Sequence, residues 1–119
     1  MKNILLIFVG GGAGSLVRYF LGKIVQQNFA VSFPIGTLIV NIVASFILGL
    51  FVGKSISTDD TLKALIAVGF CGGFSTFSTF SNETLQLILS DKLGAGLINI
   101  VLNVVFCVLA TYAGIWMGK

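Results

Sequence analysis

Four stretches of this chain are apolar for long enough to cross a bilayer: residues 4–25, 33–52, 62–89 and 94–117. A helical span needs about 20 mostly apolar residues. Polar residues gather in the short breaks: Gln26, Gln27 and Asn28, then residues 55–60, then Asp91 and Lys92. Pro34 opens the second stretch, where a missing N–H is harmless. Inside each stretch, small and polar residues recur every four positions, a spacing that puts them on one helix face. The first has Gly10, Gly14, Arg18 and Gly22. The second has Thr37, Asn41 and Ser45, continuing as Gly49 and Gly53. The third places Gly72, Thr76, Phe80 and Thr84 on one line, with Thr79 and Glu83 beside it. The fourth has Asn99, Asn103, Cys107 and Thr111. The pattern predicts an all-α membrane protein of four transmembrane helices, with residues 1–119 forming one domain.

Composition agrees. Of 119 residues, 56% are hydrophobic and 9% charged, with a mean hydropathy of +1.07. Soluble domains carry about a quarter charged residues, and a core this small could not hide so much apolar surface. Lys2 followed by residues 4–9 has the outline of a signal peptide. The run then breaks into glycines and reaches Arg18 with no A-x-A site, so a retained span is expected. Seven basic residues are scattered singly and give a net charge of +3, with no patch to read nucleic acid. Counted by side, Lys2, Lys54, Lys63 and Lys119 face Lys23 and Lys92, with Arg18 joining the second group if it snorkels that way. This slight asymmetry leaves orientation weakly set, which allows insertion both ways up and pairing of opposed copies.

Enzyme chemistry finds no foothold. There is no histidine for a Ser–His or Cys–His arrangement. Cys71 and Cys107 sit in apolar runs and resemble neither a disulfide framework nor a metal site. Asp59 and Asp60 read as a solvated turn or a helix cap. Glycine stripes serve helix packing, because small residues let backbones approach. Asn41 and Arg18 are less easily explained that way, since buried polar groups in a bilayer face a partner or a wet cavity.

The third stretch carries the most information. Adjacent Gly72 and Gly73 weaken a helix by about 1 kcal/mol each relative to alanine. Broken helices survive in membranes only where protein or water satisfies the freed backbone. Carbonyls at such a break are ready cation ligands, and the hydroxyls of Ser75, Thr76, Ser78 and Thr79 can donate to an anion. Phe77 and Phe80 are three apart, and the positive edge of a phenyl ring can face an anion. The same rings would equally serve as lipid-facing filler.

Three motifs run in order: Gly-Gly-x-Gly-x-x-x-Arg-Tyr at residues 11–19, Pro-x-Gly-Thr-Leu-x-Val-Asn at 34–41, and Gly-Phe-Cys-Gly-Gly-x-x-Thr-Phe-Ser-Thr-Phe at 69–80. With them the chain resembles the Fluc (CrcB) fluoride channels over its whole length. The resemblance implies an antiparallel, dual-topology dimer in the cell membrane, with a broken third helix and two pores that pass fluoride out of the cytoplasm. It implies pore positions at Asn41, Phe77, Phe80 and Thr111, with Thr37 and Ser81 beside them, and charges near the pore mouths at Arg18 and Glu83. It also implies a structural, untransported Na⁺ held by the backbone carbonyls of Gly72 and Ser75 from each chain. The partner would be a second copy or a paralogous subunit. Ser75, Ala44 and Cys107 depart from the residues usual in that family, which are threonine, glycine and a hydroxyl residue.

Two other readings come from different classes. A small proton-coupled drug exporter needs a titratable carboxylate deep in the bundle, and the acid within a span is Glu83, near one end. A non-transporting assembly subunit would explain the glycine stripes but would not require Asn41 or the phenylalanine pair.

Overall fold

The computed structural model describes residues 1–29, 33–54 and 60–119, which form helices and short connections with no strand among them. The connection expected at 55–60 falls outside these residues except for Asp60, whose backbone opens the third span, so the turn-or-cap reading of Asp59 and Asp60 lies outside them too. Helix α1 is Lys2–Asn28 and α2 is Ile35–Gly53. The third span is a composite. It comprises α3 at Asp60–Leu62, a π-helical segment at Lys63–Cys71, α4 at Gly72–Phe74 and α5 at Phe77–Leu89. Helix α6 is Leu93–Gly118. Four segments, Lys2–Asn28, Ile35–Gly53, Lys63–Leu89 and Leu93–Gly118, are long and apolar enough to cross a membrane. The chain is a multi-pass membrane protein. Twenty-seven residues of α1 make a helix about 40 Å long, more than the hydrocarbon thickness of about 30 Å, so it tilts or projects.

Two local devices shape the ends of α5. At its start, Ser75 (φ −83°, ψ 158°) and Thr76 (φ −151°, ψ 120°) are extended. Both the N–H and the hydroxyl of Ser75 turn back to the Cys71 carbonyl, at 3.0 and 2.8 Å, and finish α4. The Thr76 hydroxyl then accepts from the Thr79 N–H at 3.2 Å and caps α5, the usual work of a threonine at a helix start. At the far end, Asp91 takes a left-handed φ of 62°. Lys92 N–H bonds the Leu87 carbonyl at 2.9 Å and Asp91 N–H the Ile88 carbonyl at 3.3 Å. That pair of bonds is a Schellman motif, and it reverses the chain into α6.

Packing follows the small-residue stripes. Helix α2 lies along α6, and α1 lies on the π segment and α4. A Cβ added to Gly114 would stand 2.8 Å from Leu50 N and 3.0 Å from Gly49 C, so the two backbones touch there. The core is Val40, Ala44 and Phe74, flanked by Leu21, Val43, Ile47 and Phe70. Ala44 is buried against these side chains, so its methyl fills core space. The outward faces of α1 and α6 carry exposed Phe8, Leu16, Val108 and Trp116, a surface suited to lipid or another apolar partner.

Candidate functional site

The break in the third span frees backbone groups, and Asn41 of α2 meets them. In a continuous helix Thr76 N–H would bond the Gly72 carbonyl four residues back. It donates instead to Asn41 Oδ1 at 2.9 Å, while Asn41 Nδ2 donates to the Thr76 carbonyl at 3.3 Å. One carboxamide thus satisfies both backbone polar groups of Thr76. The second proton of Nδ2 goes to Asn103 Oδ1 on α6 at 3.2 Å. Both donor contacts lie at the long end of the N–H···O range.

Around this carboxamide lies a cavity of about 250 Å³, lined by Asn41, Ser45, Ser75, Thr76, Phe77, Phe80, Asn103, Val104 and Cys107. It joins three of the sequence-predicted pore residues, Asn41, Phe77 and Phe80. The two rings stand 5.4 Å apart, tilted by 51°. Their environments differ: Phe80 is 9% exposed and Phe77 77%. The line drawn through Gly72, Thr76, Phe80 and Thr84 is not one face, because Gly72 is exposed while Phe80 and Thr84 are buried. The extended residues at 75–76 break the helical register on which that line depended.

A second cavity of about 250 Å³ is lined by Arg18, Thr37, Thr76, Thr79 and Glu83, with Lys23 and Gln26 toward the end of α1. It gathers Arg18, Thr37 and Glu83 as one polar group. Thr76 borders both cavities. The Arg18 Nε donates to the Gly73 carbonyl at 3.1 Å. Glu83 Oε1 is buried with no hydrogen-bond partner among the described residues. This unpartnered acceptor shares the cavity with Arg18, Lys23 and Thr79, which makes the region strongly polar.

Two predicted residues stay outside. Ser81 is exposed on α5 and borders neither cavity. The Thr111 hydroxyl donates to the Cys107 carbonyl one turn back at 2.9 Å and borders neither cavity. On α6 the cavity is instead lined by Asn103, Val104 and Cys107. Asn103 belonged to the polar stripe, but its spacing alone did not single it out as the partner of Asn41. Gly72 is exposed and Ser75 half-buried at the break, and no group of three or more metal-ligating side chains occurs among the described residues.

Comparison with known proteins adds independent information. The profile of the family described as CrcB-like protein, Camphor Resistance (CrcB), matches residues 5–115. The chain is 40% identical over 121 residues to the fluoride-specific ion channel FluC of Phocaeicola vulgatus, covering 100% of both chains. It is 43% identical over 116 residues to the protein of the same name from Shewanella denitrificans, covering 96% of this chain and 94% of the relative. The Shewanella frigidimarina protein of that name is 41% identical with the same coverage.

Proposed function

This chain belongs to the CrcB-like family, and we propose that it is a fluoride-selective passive channel of the cell membrane that relieves fluoride toxicity by letting the anion leave the cytoplasm. The carrying observation is the single cavity that holds the Asn41 carboxamide against the Phe77 and Phe80 rings. Fluoride is small and strongly hydrated, and removing its water is costly unless donors replace it. Asn41 supplies N–H groups and the rings supply positive edges. Because its donor contacts are 3.2 and 3.3 Å long, Asn41 can turn a proton to a passing anion and then recover its protein partner. A cation at this point would hold the ion too well, and conduction needs release as well as binding.

The route runs from the polar cavity of Arg18, Thr37 and Glu83, past Thr76, to Asn41 and the ring pair. Hydrogen fluoride is a weak acid that crosses membranes uncharged and ionises in neutral cytoplasm. An inside-negative potential of about 100 mV then drives each anion outward by about 2.3 kcal/mol. No nucleotide or proton gradient is needed. The relatives are named as ion channels, which disfavours both the exporter and the assembly-subunit readings.

The working unit in this proposal is an antiparallel dimer, made with a second copy or a paralogous subunit. A ring as exposed as Phe77 then gains a wall from the partner. The carbonyls of Gly72 and Ser75 fit a structural Na⁺ in chemistry, since Thr76 N–H has turned away from Gly72. One chain alone offers too few oxygens, and pairing about a twofold axis doubles the set. When bound, the ion would supply positive charge that holds the two breaks together.

Bacteria stripped of their own fluoride exporters provide the test. Expression of this chain should restore growth on fluoride, and expression of Asn41→Asp should not. Failure of the unaltered chain, inserted in the membrane at normal levels both alone and together with its paralogous subunit, would overturn the proposal.

A further inference from the structure

Asn41 is one link in a longer chain of buried hydrogen bonds. Its Nδ2 donates to Asn103 Oδ1. Asn103 Nδ2 donates to both the carbonyl and the Oδ1 of Asn99, at 2.9 and 3.0 Å. Asn99 Nδ2 donates to Thr84 Oγ1 at 2.9 Å, and Thr84 Oγ1 donates to the Phe80 carbonyl at 2.8 Å. Thr84, Asn99 and Asn103 are 7%, 1% and 6% exposed. The chain starts at the Thr76 N–H and ends at the Phe80 carbonyl. It leaves the third span, crosses α2 and α6, and returns one turn further along. It is a closed circuit around the segment that carries both rings.

The polarity of this circuit is fixed at both ends. A backbone N–H can only donate and a carbonyl can only accept. Every amide between them must therefore point its oxygen toward Thr76 and its nitrogen toward Phe80, as each does. Aligned donors in a low-dielectric interior strengthen one another. We infer that Thr84 and Asn99 are positioning residues of the pore: they border neither cavity, yet they close the circuit that holds the Asn41 amide in register with the Phe80-bearing turn. This inference rests on the channel reading, because it assigns these residues a part in the passage of fluoride.

The closing link is tested without changing shape. Thr84→Val keeps the volume and removes the hydroxyl; Thr84→Ser keeps the hydroxyl. Each purified variant is reconstituted in liposomes and compared with the unaltered protein by fluoride efflux. In parallel, the Asn41 side-chain amide signals are followed by ¹⁵N NMR, assigned by their loss in Asn41→Ala. Thr84→Val should slow efflux by about three- to tenfold, the range expected for one lost buried hydrogen bond. It should also shift or split the Asn41 signals with the dimer intact by gel filtration. Thr84→Ser should restore both. Unmoved Asn41 signals in Thr84→Val would overturn the inference, as would a flux loss that serine does not rescue. If the unaltered protein releases no fluoride, the channel reading fails separately, and the NMR comparison still decides whether Thr84 positions Asn41.

Discussion

Asn41 has two tasks in one side chain. It pairs with the backbone that the helix break exposes, through Thr76, and its carboxamide lines the cavity. Replacing it by aspartate keeps the acceptor for Thr76 N–H but sets a second oxygen against the Thr76 carbonyl and a negative charge in the path of an anion. Fluoride efflux from Asn41→Asp liposomes should fall by at least about tenfold. Phe80→Ile preserves bulk but loses the ring edge, so it too should suppress flux while gel filtration still reports the assembled protein. Asn41 stood out from the sequence because an amide in a span demands a partner. Which partner it takes was not legible. Spacing places Asn99 and Asn103 on a face of α6 but does not say which residue of α2 lies opposite. That depends on how far the helices slide along each other at Gly49 and Gly114. Ser81 and Thr111 lie away from both cavities for separate reasons, the reset of register at residues 75–76 for the first and the hydrogen bond to its own helix for the second.

At the scale of elements, the four spans lie within a few residues of the expected bounds, since length and hydropathy govern them directly. Helix α1 extends further, through Gln26, Gln27 and Asn28, because polar residues continue a helix readily where it leaves the bilayer. Gln26 also reaches across to the next span, donating to the Phe33 carbonyl and accepting from Gly36 N–H, each at 3.0 Å. The π-helical stretch had no signal in the pattern, because bulged and regular turns bury similar residues. The α2–α6 contact gives a direct test of the packing argument. Gly114→Leu would drive a side chain into the backbone of α2 and should cost about 1–3 kcal/mol or more, seen as a lower melting temperature in detergent. Gly94→Ala, with open space around it, should be neutral or gain at most about 1 kcal/mol.

For the whole molecule, the exposed Phe77 marks the surface where the proposed second copy would seat. The near balance of basic residues on the two sides permits the opposed orientations that such pairing needs. If a sodium ion joins the breaks, replacing Na⁺ on both sides of the membrane by a larger organic cation should reduce flux several-fold and weaken dimerisation in gel filtration. Persistence of both would remove the ion from the account. The departures at Ala44 and Ser75 fit within the fold: the first fills the core, and the second returns its hydroxyl to the Cys71 carbonyl.

In the proposed channel, neutral donors and ring edges around Asn41 carry fluoride selectively and passively. Liposomes holding the purified protein, loaded with equal fluoride and chloride and made permeable to a counter-cation, measure this with two ion-selective electrodes. A passive fluoride channel should release fluoride promptly, retain chloride and be unaffected by collapse of a proton gradient. Vesicles that keep their fluoride, or that lose both halides alike, would contradict it.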